Sequence, residues 1–377
     1  MEWRSVKKSI VKNGYYIHSE GRSSIGVARK IDYQIELLSR HFHVRELEIK
    51  VANRKIGERI IGLMPLHSIP RNYDEVLEQM QSPDFVYIRK ILADKLYINF
   101  LRSLKRKYPE CKIVVEIFTY PYDKDEFLKW NTWPFYFKDR FWRMQLKDVI
   151  DRFVTYSDND IIFNVPTIKT MNGVAVENIT KVCRKNNKKT DVINLIAVAN
   201  LQRSHGYERI IKGLYEYYKK GGTRKLFFYV VGEGSELKKL KRLSSKLKLD
   251  KYIIFCGRKV GEDLDIIYNQ ADIALAAFGL YKVGVQSIST LKVSEYLAKG
   301  MPIVTGCKER ALENFQFSLE LPNNNNKAEI NKIVEFYDWL SELPQGMAGI
   351  TEEIRNYALQ KVDMCHVMEP IEEYIGF

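Results

Sequence analysis

A chain of 377 residues is long for a single hydrophobic core and comfortable for two domains of ordinary size. Its 45% hydrophobic and 28% charged residues are those of a water-soluble globular protein, and no apolar run approaches the roughly 18 residues that span a bilayer. The net charge of +13 is spread over both halves, which excludes a basic nucleic-acid tail and leaves phosphorylated ligands, an anionic membrane surface or an inert solvated surface.

The first residues, Met1 to Lys8, contain no apolar stretch of signal-peptide type, so retention in the cytoplasm is the expectation. Gly14–Ile17 reads as a strand that enters a polar loop, His18 to Gly26, ahead of a helical pattern at Val27, Ile31, Ile35 and Leu38. Phe85–Ile88 and Ile113–Phe118 are strand candidates. Between them a basic helix, about Lys95–Lys107, sets Leu96, Phe100, Leu101 and Leu104 on one face. The stretch Lys129 to Arg143 interleaves tryptophan and phenylalanine with cations. It suits a bilayer interface or a lipid-linked acceptor, or else a helix packed at a domain interface. Phe153–Tyr156 reads as a short buried strand, and Asp158-Asn159-Asp160 as the turn after it. Thr167–Met171 leads into a turn at Asn172-Gly173.

The lysine-rich stretch Thr180–Asp191 reads as a linker. Strict alternation follows: strand Val192–Ala199, helix Tyr207–Tyr218, strand Lys225–Val231, helix Ser235–Lys248, strand Tyr252–Cys256, helix Leu264–Gln270, strand Ile273–Ala277, helix Leu291–Lys299, strand Pro302–Thr305. Helices fill the C-terminus. This order predicts an α/β fold of two Rossmann-like domains with parallel sheets, here bounded at 1–182 and 190–350, with a helical segment 351–377. The five cysteines, Cys111, Cys183, Cys256, Cys307 and Cys365, are too scattered for a metal knuckle or a CxxC motif, and read as reduced thiols.

Ligands of open α/β sheets bind at the carboxyl ends of strands, where helix N-termini offer free N–H groups to anions. The loop after the first strand of the second half holds Arg203 and His205, suited to neutralising a diphosphate leaving group, or else a solvated turn capped by His205. Gly232 and Gly234 turn the next loop, with Ser235 as the expected helix cap. Arg258 and Lys259 follow the third strand and could frame a nucleobase, or belong to a plain loop. Ser289 or Thr290 caps the helix at Leu291. Glu295, one turn on, suits two ribose hydroxyls, or is a surface glutamate paired with Lys292 or Lys299.

Four segments in order, HGYERIIKGL, VVGEGSELKKL, IIFCGRKVGEDLDIIYNQADIALAAFG and STLKVSEYLAKGMPIV, resemble the nucleotide-binding domain of glycosyltransferase family 4, of GT-B architecture. VYIRK, VVEIFTYPYDKDEF, FVTYSDND and IKTMNGV in the first half are similar to members of that family that build bacterial surface polysaccharides. The resemblance implies two domains facing across a cleft, with C-terminal helices crossing back to an acceptor-binding first domain. It implies a retaining hexosyltransferase that takes UDP- or GDP-sugar as donor and a glycan or polyprenyl-linked glycan as acceptor, in capsule or related surface-glycan synthesis. No cofactor, no catalytic metal and no nucleic acid are expected. The implied setting is cytoplasmic, either free or in peripheral contact with the inner membrane.

Carried over by motif, Glu295 matches the ribose-binding glutamate, and the amides around Thr290 and Leu291 match the diphosphate-binding helix start. Gly21 would let the first-domain loop approach the phosphates or sugar. Glu116, at a strand end where the family often has a histidine, is the candidate acceptor-side catalytic group, or a structural carboxylate bonded to Tyr120 or Tyr122. Two features depart from the family. Ser287 stands where an earlier glutamate is usual, and Asn200 and His205 stand where an arginine and a lysine are usual, which leaves Arg203, Lys282 or Lys292 to supply the charge. Two other readings stay open: a non-catalytic GT-B scaffold, or a nucleotide-sugar epimerase.

Overall fold

The structure, a computed structural model, describes residues 11–19, 25–51, 68, 70–117, 119–123, 133–184 and 190–376. Two compact units divide the chain. The first is Met1–Thr170 with Met368–Phe377, and the second is Met171–Val367. The division falls ahead of the lysine-rich stretch, and its cause is local. The backbone of Val174 pairs with Asp363, and Val176 N donates to Asp363 Oδ2 at 3.1 Å, so residues beyond 170 are already built into the second unit.

The first unit is a seven-stranded sheet. Its elements are β1 Asn13–His18, α1 Ile25–His41, β2 His43–Glu48, α2 Tyr73–Glu78, β3 Phe85–Arg89, α3 Lys95–Lys107, β4 Lys112–Ile117, α4 Trp133–Trp142, β5 Arg152–Thr155, β6 Ile161–Ile162 and β7 Val165–Lys169. The order across the sheet is β2-β1-β3-β4-β5-β7-β6, and all pairs are parallel except β6 with β7. The central strands β3 and β4 are almost wholly buried, as expected of apolar runs covered by helices on both faces. Helix α3 forms where expected: the Asp94 side chain accepts from Tyr97 N at 2.8 Å, Tyr97, Ile98, Phe100, Leu101 and Leu104 are buried, and Lys105, Arg106 and Lys107 close its last turn. Asp158 to Asp160 is a bend after β5, with Asp160 paired to Lys169 at 2.6 Å.

The second unit holds a six-stranded parallel sheet, ordered β10-β9-β8-β11-β13-β15. In chain order it comprises β8 Val192–Val198, α5 Glu208–Lys219, β9 Lys225–Val231, α6 Leu237–Lys246, β10 Ile253–Gly257, α7 Gly261–Gln270, β11 Ile273–Leu275, β12 Ser287–Ile288, α8 Leu291–Lys299, β13 Ile303–Thr305, β14 Lys308–Glu309, β15 Ser318–Glu320, α9 Ile330–Glu342 and α10 Gly346–Lys361. A last helix, α11 Met364–Ile375, runs from the second unit's end into residues of the first. β12 and β14 pair in parallel as a separate two-stranded ribbon. Among the described residues no helix is long and apolar enough to cross a membrane.

In both sheets the strand order reverses beside the first strand, between β1 and β3 in one and between β8 and β11 in the other. At such switch points neighbouring loops diverge above the carboxyl ends and open a crevice for ligands.

Candidate functional site

At the switch point of the second unit the loops after β8 and β11 are tied together. Phe278 N donates to His205 O at 2.7 Å and Gly279 N donates to Ser204 O at 3.1 Å. From α5, Arg209 is buried and donates to the carbonyls of Phe278, Pro322 and Asn326, which fixes these loops from behind. Helix α8 closes the floor: the buried Tyr296 hydroxyl accepts from Val198 N at 2.9 Å and donates to Leu275 O at 3.4 Å, bridging β8 and β11.

The start of α8 faces this floor. Thr290 is the N-cap, its Oγ1 accepting from Val293 N at 3.4 Å. Ser289 has a different task. Its Oγ accepts from Asn172 N at 2.9 Å, and its carbonyl accepts from Asn172 Nδ2 at 2.6 Å. Glu309, at the end of β14, grips the cap from the side. Oε1 accepts from Thr290 Oγ1 at 2.9 Å and Oε2 from Thr290 N at 3.2 Å. The Thr290 amide expected for a phosphate is therefore held by a carboxylate of the chain itself, while Leu291, half-buried against the core, opens the first turn. Burial pushes the Glu309 carboxyl up to about 8, against the opposing effect of the Thr290 bonds and Lys292.

Lys292 stands on the first turn of α8 and donates to the Tyr207 hydroxyl at 3.0 Å. Burial lowers its ammonium to about 7, opposed by Glu309 and Glu295. His205 stacks on Tyr207, with ring centroids 5.7 Å apart and planes 16° apart. Its Nδ1 accepts from Gln202 N at 3.1 Å, the capping contact, which leaves the hydrogen on Nε2 as a donor. Burial, then the nearby Lys292 charge, pushes this imidazole down to about 2. His205 is thus a neutral donor and not the second positive charge expected from the sequence. Arg203, beside it, is exposed. Glu295 lies half-buried one turn along α8, close enough to favour the charged form of Lys292 and to raise the Tyr268 and Tyr296 phenols behind it.

Other expected residues do structural work. Lys282 pairs with Glu208 and donates to Arg203 O at 3.3 Å, so its charge is spent joining the two loops. Gly232 and Gly234 have φ of 126° and 144°, and a Cβ on either would overlap the carbonyl oxygen of Ala199 or Leu201, so they let the β9 loop close onto the β8 loop. Ser235 is not the cap of the following helix; Glu236 occupies that position without a side-chain bond. Arg258 is exposed and Lys259 leans on Asp263 at 3.5 Å, both at the end of edge strand β10, two strands from β8. Ser287 Oγ is buried and has no hydrogen-bond partner, an uncompensated polar group beside the start of α8.

In the first unit, Glu116 ends β4 as expected but is fully buried. Oε1 binds Lys30 Nζ at 2.8 Å and the Tyr156 hydroxyl, and Oε2 binds Arg89 at 3.1 Å; Tyr120 and Tyr122 are not its partners. Burial acts to raise its carboxyl, but Lys30 and Arg89 outweigh burial and hold it below the ordinary range. With both oxygens engaged by the fold, this geometry is that of an anchor between β3, β4 and α1. Gly21 lies outside the described residues. A cavity of about 450 Å³ opens instead at the carboxyl ends of β1 and β3, lined by Ser19, Lys90, Ala93, Asp94, Phe135 and Lys138 among others.

Residues 178–313 match the family model of glycosyl transferases group 1, a span that holds Arg203, His205, Arg209, Lys292, Glu295 and Glu309 but not Asn172, Pro322 or Asn326. No curated protein matches the chain in sequence. Among solved structures, a glycosyltransferase from Rickettsia africae is 13% identical over 97% of this chain and 98% of its own, with a TM-score of 0.59. HepE from Anabaena, solved in complex with UDP and glucose, is 14% identical over 97% and 99%, with a TM-score of 0.62. Sucrose-phosphate synthase from Thermosynechococcus elongatus is 12% identical over 96% and 98%, with a TM-score of 0.62. At these identities the likeness is one of fold, the two-domain α/β architecture called GT-B.

Proposed function

We propose, from a second unit similar to group 1 glycosyl transferases, that this chain moves a hexose from a UDP- or GDP-sugar to a glycan or lipid-linked glycan, with retention, in surface-polysaccharide synthesis. One observation carries the reading: Glu295, Lys292, His205 and the capped start of α8 converge at the β8–β11 switch point, inside the span that matches the family. Glu295 would hold the ribose hydroxyls. Lys292, the Nε2–H of His205 and the exposed Arg203 would face the diphosphate, where negative charge grows as the donor's glycosidic bond breaks. The acceptor oxygen forms the new bond on the face the diphosphate leaves, and its proton passes to the departing phosphate oxygen, so the chain positions both partners and needs no strong base. The cavity beside β1 and β3 is the candidate acceptor site.

Thermal-shift titration with UDP-, GDP- and ADP-sugars tests the donor. Stabilisation by one of them, followed by its slow hydrolysis, supports transfer, and the product's anomeric configuration by NMR tests retention. Stabilisation by none defeats the reading. A second reading, a binding scaffold without turnover, is favoured by the Thr290 amide being held by Glu309 and by Ser287; it predicts nucleotide binding with no hydrolysis or transfer.

The buried charges also set a pH dependence. A diphosphate beside Lys292 favours its charged form. Below about 7 the ammonium is already charged and affinity is flat. Above that, binding must take up a proton, and affinity falls by up to about tenfold per pH unit. Neutral His205 contributes no change over this range. Calorimetric titration of UDP from neutral into mildly alkaline buffers should show this slope in the wild type and a much flatter one in Lys292→Met. An unchanged slope in the variant would remove Lys292 from the phosphate site.

A further inference from the structure

Helix α4 is built inside out. Its polar face is the buried one. Asp139 is fully buried, with Oδ1 accepting from Ala93 N at 2.8 Å and Oδ2 from the Tyr122 hydroxyl at 2.5 Å. Lys138 is also buried, and Arg143, on the 3₁₀ turn Arg143–Asp148 that continues the helix, pairs with Asp123 at 2.8 Å and lies over the Phe163 ring. The face turned to solvent carries Trp133, Phe137, Phe141 and Met144, at 41%, 50%, 69% and 44% exposure. Their spacing of four, four and three residues makes one continuous stripe along the helix. Solvation would favour the reverse arrangement, and an apolar stripe kept outward by buried ion pairs marks a surface that meets something apolar.

We propose that this stripe docks the first unit on an anionic lipid bilayer. Charge selects that occupant. Arg140 and Lys147 are exposed along the same face, Arg140 with Asp123 3.9 Å away, and Arg102 of α3 reaches its end by donating to Gln145 at 2.7 Å; Asp148 is exposed as well, so among these described residues the cations outnumber the acids. Aromatic rings interleaved with guanidinium and ammonium groups match the headgroup layer, where rings sit among acyl carbonyls and cations meet phosphates. The other side of the same helix, through Phe135 and Lys138, lines the cavity at the ends of β1 and β3, so docking would bring that cavity to the lipid surface, where a lipid-linked substrate resides. The proposal stands independently of the donor reading.

The test is flotation of the full chain with phosphatidylcholine vesicles, with and without phosphatidylglycerol. The wild type should float with the anionic vesicles. Phe137→Glu with Phe141→Glu should lower the bound fraction by about tenfold or more. Arg140→Glu with Lys147→Glu should lower it by about fivefold per charge removed, and only on anionic vesicles. Both double variants should unfold at the wild-type temperature, since every changed side chain is exposed. A wild type that does not float, an aromatic variant that floats equally well, or a non-floating wild type that is dimeric and becomes monomeric in that variant would each overturn the proposal, the last assigning the stripe to a second copy.

Discussion

Glu295→Ala is expected to weaken nucleotide-sugar binding or turnover by about 100-fold, because a carboxylate that receives ribose hydroxyls makes charge-assisted bonds worth about 1.5–3 kcal/mol each, and each 1.4 kcal/mol is tenfold. Glu295 is half-buried on α8, so neither its removal nor its charge should much affect folding, and the unfolding temperature without ligand should stay near the wild type. Its proximity to Lys292 adds a second consequence. With Glu295 gone, the ammonium loses one of the two carboxylates that favour its charged form, and the loss of affinity should set in at lower pH than in the wild type. Steady-state kinetics on the donor found by thermal shift, together with calorimetric titration of UDP, measures both effects. Full activity in Glu295→Ala would mean that the nucleotide lies elsewhere.

Glu116→Ala should act on stability. Deleting this carboxylate leaves Lys30 and Arg89 buried against each other without a counter-charge, and breaking a buried ion pair in this way costs about 3–5 kcal/mol. For a unit of this size that corresponds to a fall of about 10 °C in unfolding temperature. Its carboxyl sits below the ordinary value, so its contribution is present at neutral pH and is lost as acid protonates it, and the gap between variant and wild type should narrow in acid. Glu116→Gln keeps the shape and provides the decisive comparison. Turnover per folded molecule close to the wild type identifies an anchor, whereas an intact fold with turnover abolished would restore Glu116 as a reacting group.

These two residues show how differently the sequence speaks. The place of Glu295 on α8 was legible because its setting is local: a hydroxyl cap at Ser289 or Thr290, the apolar positions of one helix and the glycine at its end are close neighbours in sequence and signal α8 on their own. Glu116 was legible only as the end of a strand. Its partners come from α1, β3 and the turn after β5, which no pattern within β4 can reveal. β2 was missed for a related reason. HVRELE is an edge strand whose side chains are mostly exposed, so it has no apolar alternation and is strand only because β1 offers it a ladder from Asn13 to His18. β12 and β14, two residues each, likewise exist through each other.

By itself the sequence determined the α/β class, the alternation of the sheet's strands with helices from β8 to β13, the start of α8 and the placing of Glu295 one turn into that helix, because periodicity, caps and turns are decided between near neighbours in the chain. Tertiary structure alone decided which charges meet. It gave the α8 cap to Glu309, made His205 a neutral donor beside Tyr207, spent Lys282 on Glu208, closed Lys30 and Arg89 around Glu116, and turned the aromatic face of α4 outward. The physical reason is common to all five: burial and pairing of a polar group depend on what the strand order brings beside it, and that neighbour is most often far away in sequence.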